Sequence, residues 1–144
     1  HDIGKIVLDQ FFSEAFSIAL EEAWNRQDLS LHMAERNIIG MDHGEIGNML
    51  LRRWKFPAII SDPISVHHQA EVPEGINPTD LALLRVADTL SRELGFGQRE
   101  FFACPENYQA DIELLGMDEE GQSDMKAYLT DAKDGIYDFF SALN

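Results

Sequence analysis

The sequence predicts an all-α protein, a multi-helix bundle. Three observations predict it. Apolar residues recur at three- and four-residue intervals through most of the chain. No alternation of apolar and polar residues runs far enough to define a strand. Helix start and stop signals fall between the periodic stretches: Asp42 with Glu45, Asn77-Pro78, Gly40 and Gly95. Hydrophobic residues make up 44% of the 144, enough to build a core, so residues 1–144 are expected to form a single domain.

The first helical stretch is IVLDQFFSEAFSIALEEAW, with Ile6, Phe12, Phe16, Ala19, Leu20 and Trp24 as its expected buried positions. A break near Phe12-Ser13 divides it, with Ser13 as the N-cap of the second half. A polar turn at Asn25 to Asp28 leads to a short helix, roughly Leu29 to Asn37, ended at Gly40. In MDHGEIGNMLLRRW, Asp42 and Glu45 have capping-box spacing, and Leu50, Leu51 and Trp54 give the expected buried stripe. Pro57 suits the first turn of the next helix, which runs through AIISDPISVHH. Pro63 has no N–H to donate back to Ile59, and a kink or break is expected there. Asn77, Pro78 and Asp80 open the helix LALLRVADTLSREL, closed at Gly95. GFGQREFFACPEN, 95–107, reads as a loop, and DIELLG as a short helix. The last helix, about 119–142, places Met125, Leu129, Ala132, Ile136, Phe139 and Leu143 on one seam, packed on the protein's own core or on a partner. Met41, Met49 and Met125 are read as core.

Composition excludes some functions. A formal net charge of −15, from 26 acidic and 11 basic residues, repels phosphate backbones and anionic lipid, so no nucleic-acid or membrane partner is expected. No stretch approaches the ~20 apolar residues of a membrane helix. Cys104 is the single cysteine, which excludes an internal disulfide and fits a reducing cytoplasm. It has no visible nucleophilic partner. The sequence begins without Met and shows no signal peptide.

Chemistry is concentrated in five histidines and one acid. His1 and Asp2 offer a nitrogen and a carboxylate oxygen, a pair that favours Zn, Fe or Mn over Ca, although a lone His-Asp doublet is usually surface. His67-His68 places two adjacent imidazoles at the end of an apolar helix. They could serve two ions, or one ion and a substrate oxygen; the plainer reading packs one and solvates the other. Asp88 lies a turn beyond Leu84, where a carboxylate is costly unless paired, so it needs a ligand, N–H groups or a cation. His43, beside the Asp42 cap, either bonds at the helix end or touches metal or phosphate. His32 is read as structural. Lys5 could neutralise a phosphate, or be a solvated helix lysine. GFG at 95–97 is too short to cradle phosphate.

Together HDIGK at 1–5, GMDHGEIGNMLLRRWKFP at 40–57, HH at 67–68 and ADTL at 87–90 resemble an HD-superfamily domain. Glu35-Arg36, the Gly-x-Asp-His-x-Glu-Ile-Gly run, Leu50-Leu51, Trp54 and Pro57 resemble the HDOD subgroup, and LLGMDEEG at 114–121 resembles the end of that domain. The resemblance runs from residue 1 to about 143 and implies the C-terminal part of a larger HDOD domain, with helices upstream. It implies an all-α regulatory domain of bacterial signal transduction, non-catalytic, acting through helix-mediated contacts with other signalling domains or proteins. The related HD and HD-GYP enzymes hydrolyse phosphoesters with metal, so the alternative is a metal-dependent phosphohydrolase with a nucleotide or cyclic-dinucleotide ligand.

By position His1, Asp2 and Asp88 match the core metal motif, and His43, His67 and His68 match further metal positions. The cofactor so implied is Fe, Mn or Zn, or none. Lys5 is the residue the alternative would use against phosphate charge. Two departures count against catalysis. The enzyme motif has another histidine on a helix before His1, and QAEVPEGINP after His68 lacks the Gly-Tyr-Pro signature.

Overall fold

A computed structural model describes residues 1–26, 28–95 and 107–141, apart from the side chains of 134 and 136–141. Among these residues there are eight α-helices and no strand. They are α1 (Ile3–Phe11), α2 (Ser13–Asn25), α3 (Leu31–Ile39), α4 (His43–Arg53), α5 (Ala58–Val66), α6 (Pro78–Glu93), α7 (Tyr108–Leu114) and α8 (Glu119–Ser141). The all-α expectation holds. None of the described helices is long and apolar enough to cross a membrane. The chain divides into two compact units, 1–85 and 86–144.

In the first unit α4 packs against both α1 and α5, and α2 against α3 and α1. Its apolar interior is Leu8, Phe16, Ala19, Ala23, Leu29, Ala34, Leu51, Ile64, Leu81 and Ala82. The contact between α1 and α4 is made by backbone. A Cβ on Gly4 would lie 1.9 Å from the His43 carbonyl oxygen and 2.9 Å from the Gly47 nitrogen. A Cβ on Gly44 would lie 2.7 Å from the Ile64 carbonyl oxygen, closing α4 on α5 in the same way. No side chain fits at either crossing, because non-bonded carbon and oxygen stay about 3 Å or more apart. These two glycines draw the ends of three helices to one place.

The second unit has its own small core. Val86, Leu90 and Ile112 are buried there, with Tyr108, Leu115, Met117 and Leu129 packed against them. Lys126 reaches Glu93 at 2.7 Å, and Lys133 donates to the Leu94 carbonyl at the end of α6.

Several sequence expectations need correction. The break after α1 falls at Phe12, but Ser13 is the first helical residue of α2 and gives no side-chain cap. Phe16 and Ala19 are buried as expected, but Ile6, Phe12 and Trp24 are exposed, and Leu8 and Ala23 complete the buried face. The break at Phe12 resets the helical phase, so one periodic pattern cannot serve both helices. On α4 the expected stripe is wrong at Trp54, which is 56% exposed; the buried face is His43, Gly44, Gly47 and Leu51. Helix α4 ends at Arg53, so Trp54 lies past the face on which Leu51 is buried. Met49 and Met125 are exposed rather than core. Pro63 neither breaks α5 nor interrupts it. Ile59, whose carbonyl loses its partner, is 63% exposed, so the loss is absorbed near the surface. Most of the 95–107 loop, Cys104, and the Ile136, Phe139 and Leu143 side chains lie outside the described residues.

Candidate metal centre

The site starts at the N-terminus of α4. Asp42 takes the Glu45 backbone N–H at 2.9 Å, and Glu45 takes the Asp42 backbone N–H at 3.1 Å, so the expected capping box is formed. Two neighbouring residues of α3 hold this end. Arg36 donates to Asp42 at 2.7 Å and reaches Glu45 at 3.3 Å. Glu35, fully buried, accepts the His43 backbone N–H at 2.8 Å and the ring Nδ1 at 2.6 Å through one oxygen. Carboxylates suit this position because the exposed N–H groups of a helix start carry partial positive charge. Burial acts to raise the Asp42 pKa, but the Glu45 N–H and the Arg36 guanidinium outweigh it and hold the carboxyl below its usual range.

His43 therefore points its Nε2 away from Glu35. It meets His68 Nε2 at 2.8 Å and Asp2 Oδ1 at 3.4 Å. His67 and His68 follow α5 in a turn rather than continuing the helix, and this lets both rings face the same side. Their ring centroids are 3.8 Å apart, and His68 lies 4.8 Å from His43 by the same measure. His67 Nδ1 is 2.7 Å from the Ile64 carbonyl. A carbonyl only accepts, so Nδ1 carries the hydrogen and Nε2 is the basic nitrogen. Arg85, buried, donates to the His67 carbonyl at 3.3 Å and to the Gln69 carbonyl, which fixes the turn.

At the front of α1, Asp2 Oδ1 is 3.3 Å from His1 Nε2, and Asp2 Oδ2 accepts from Lys5 Nζ at 2.7 Å. His1 and His67 meet edge to face at 5.2 Å. Two donor sets could hold an ion among the described residues: His43, His67 and His68, and His1, Asp2 and His67. In each set the ligand atoms lie within 4.8 Å of one another.

Electrostatics fit one shared proton or cation here. Burial would push the His43 imidazole down, but Asp2 and Glu35 outweigh it and hold the pKa above its ordinary value. Burial, with the neighbouring His67, His43 and His32 rings, drives His68 strongly down, so it stays neutral. Burial also opposes the charge on Asp2, yet His43 and Lys5 keep it ionised far below the usual carboxylate range. Two facing nitrogen lone pairs 2.8 Å apart would repel. A proton on His43 Nε2, or a metal ion accepting both lone pairs, resolves the contact.

A family model for the HDOD domain matches residues 1–70. That stretch belongs to the HDOD family. No curated protein and no solved structure matches the chain. HDOD domains are an HD-like signalling family, and the matched stretch carries His1, Asp2, Lys5, His43, His67 and His68.

Of the residues singled out from sequence, His1, Asp2, Lys5, His43, His67 and His68 come together in the first unit, within the stretch the HDOD model matches. Asp88 falls in the second unit and belongs to neither donor set. Its two oxygens are taken by Arg92 Nε and Nη2, each at 2.8 Å, which supplies the cation its position required. Two residues of the site were not assigned a place in it by the sequence reading. From sequence, Glu35 enters only as part of the Glu35-Arg36 resemblance, with no role in the site. His32, expected to be structural, stacks its ring on His68 at 4.3 Å and 6° and belongs to neither donor set. Sequence separation hid that contact, because His32 on α3 and His68 after α5 are 36 residues apart and only the fold brings their rings together.

Proposed function

We propose that this chain is an HDOD-type regulatory module whose histidine cluster holds a divalent transition ion, and that it acts by helix-mediated contacts with other signalling domains or proteins rather than by catalysis. The observation that carries the ion is the 2.8 Å approach of the His43 and His68 Nε2 atoms, with His67 beside them in the tautomer a metal requires. Imidazole nitrogens select Zn, Fe or Mn-like ions over Ca or Mg. When bound, such an ion would supply a tie between α4 and the end of α5, and Lewis acidity if an open position remained. The chain's own residues do the rest. Glu35 and the Ile64 carbonyl orient rings, Arg85 holds the turn, and Asp2 brings negative charge that lowers the cost of a nearby cation.

Two observations support the non-catalytic half. Asp88, a core ligand in the enzymes this chain resembles, already has both oxygens on Arg92. The stretch after His68 lacks the Gly-Tyr-Pro signature. Helix-mediated contact is supported by Phe11, Phe12 and Ile18, which are exposed around a cleft of about 470 Å³ lined also by Ile38. A bacterial, cytoplasmic setting belongs to the same reading.

Elemental analysis of the purified chain, followed by phosphodiesterase assays with Mn, Fe and Mg, tests it. Near-stoichiometric metal without turnover is expected. Turnover that disappears in Asp2→Ala would establish the second reading, a metal-dependent phosphohydrolase acting on a nucleotide or cyclic dinucleotide. One observation favours that second reading: the Lys5 ammonium stands 2.7 Å from Asp2, where it could meet phosphate charge.

A further inference from the structure

We infer that Glu35 is the positioning residue of this site: it decides which nitrogen of His43 is offered to a ligand. The inference rests on the histidine cluster being a metal site, as proposed above. Three observations carry it. Glu35 is fully buried on α3, so its carboxylate is held rather than swung. One of its oxygens accepts from both the backbone N–H and the ring Nδ1 of His43, at 2.8 and 2.6 Å. A carboxylate that accepts twice from one residue fixes the position of its backbone and the rotation of its ring together. The ring then has one free orientation for Nε2, toward His68 Nε2 and Asp2 Oδ1.

The same arrangement recurs on the neighbouring donor by different means. His67 Nδ1 donates to the Ile64 carbonyl, again leaving Nε2 as the base. Two of the three imidazoles of one donor set are thus locked in the Nδ1–H tautomer before any ion arrives. A negative oxygen on Nδ1 also raises the electron density at Nε2 and strengthens it as a ligand. His43 and Glu35 are eight residues apart on separate helices. Their pairing comes from the fold.

The test reads the tautomer and the affinity separately. In metal-free protein labelled with ¹⁵N-histidine, at a pH where His43 is neutral, long-range ¹H–¹⁵N correlation should show hydrogen on Nδ1 and a lone pair on Nε2. Hydrogen on Nε2 overturns the inference, whether or not metal binds. Glu35→Gln keeps the shape and removes the charge. It should weaken Zn²⁺ binding by about 10–100-fold, the usual loss when such an outer partner is removed. The hydrogen-bonded Nδ1–H resonance should move upfield, with helix content unchanged.

Equal Zn²⁺ affinity in Glu35→Gln and the parent overturns the inference while leaving the metal site standing. Failure of the parent protein to bind Zn²⁺ or Co²⁺ at all removes the metal site, and the tautomer measurement still decides what Glu35 does. If Glu35→Gln does not fold, the tautomer in the parent protein decides alone. Glu35→Asp, shorter by one methylene, should restore part of the affinity only if charge on Nδ1 is the cause.

Discussion

Lys55 has φ +62°, a left-handed conformation that costs an L-residue with a Cβ roughly 1–2 kcal/mol. It sits at the end of α4, where its own N–H bonds the Arg52 carbonyl and the Phe56 N–H bonds the Leu51 carbonyl, each at 3.0 Å. That pair of bonds normally has glycine at this position, and the chain uses Gly116 in the same role after α7, with φ +66° and matching bonds to Glu113 and Ile112. Lys55→Gly should therefore stabilise the protein by about 1 kcal/mol, read as a higher urea midpoint with unchanged m-value. The reverse holds at Gly4. Gly4→Ala places a methyl 1.9 Å from the His43 carbonyl oxygen, against backbone that cannot swing aside. α1 must move away from α4, with a loss of roughly 3 kcal/mol or more and of metal uptake together, since His1 and Asp2 move with α1. Full stability in Gly4→Ala would contradict the close crossing.

The clamp between α3 and the start of α4 is where neighbouring residues act as one element. Asp42 caps the helix and receives Arg36, so Asp42→Ala removes a cap and a charge-assisted bond, for a loss of about 2 kcal/mol. Its pH dependence follows from the direction of the shift. The folded pKa lies below the ordinary value near 4, so the unfolded chain takes up this proton first. The stabilisation is present above pH about 4 and is lost as pH falls through the lower, folded value. Asp42→Asn should thus lose less stability than the parent between pH 4 and 2, measured by thermal unfolding at each pH. This element was legible in sequence because the capping box is local: Asp42 and Glu45 are three residues apart. Helices α3 to α7 were legible for the same reason, each bounded by its own Gly, Pro or Asn signal. What could not be read was the set of faces. Phe12 resets the phase between α1 and α2, Lys55 ends α4 without a glycine, and Gly4 and Gly44 bring backbone together where no large apolar side chain marks the contact. The site residues of HDIGK and HH stand out by type, whereas Glu35 and His32 matter through contacts across helices that no spacing encodes.

At the scale of the whole chain, charge and ligand linkage decide stability. With 26 acidic and 11 basic residues the folded state repels itself. Raising NaCl from about 10 mM to about 150 mM shortens the screening length from roughly 30 Å to roughly 8 Å and should raise the thermal midpoint. The division at 85/86 makes metal linkage more informative than a single midpoint. Both donor sets lie in the first unit, and a ligand that binds only the native form stabilises by about 2.7 kcal/mol at one hundred times its dissociation constant. Hydrogen exchange on the full chain with and without Zn²⁺ should therefore show slower opening of amides in α1, α4 and the turn after α5, with α7 and α8 unchanged. His43→Ala and His68→Ala should abolish the effect. Asp88→Ala separates the remaining alternatives. If Asp88 holds Arg92 and no metal ion, its loss lowers the stability of the second unit and leaves Zn²⁺ protection of the first intact. Loss of the Zn²⁺ protection of the first unit in Asp88→Ala would make Asp88 a ligand and move the balance toward hydrolysis.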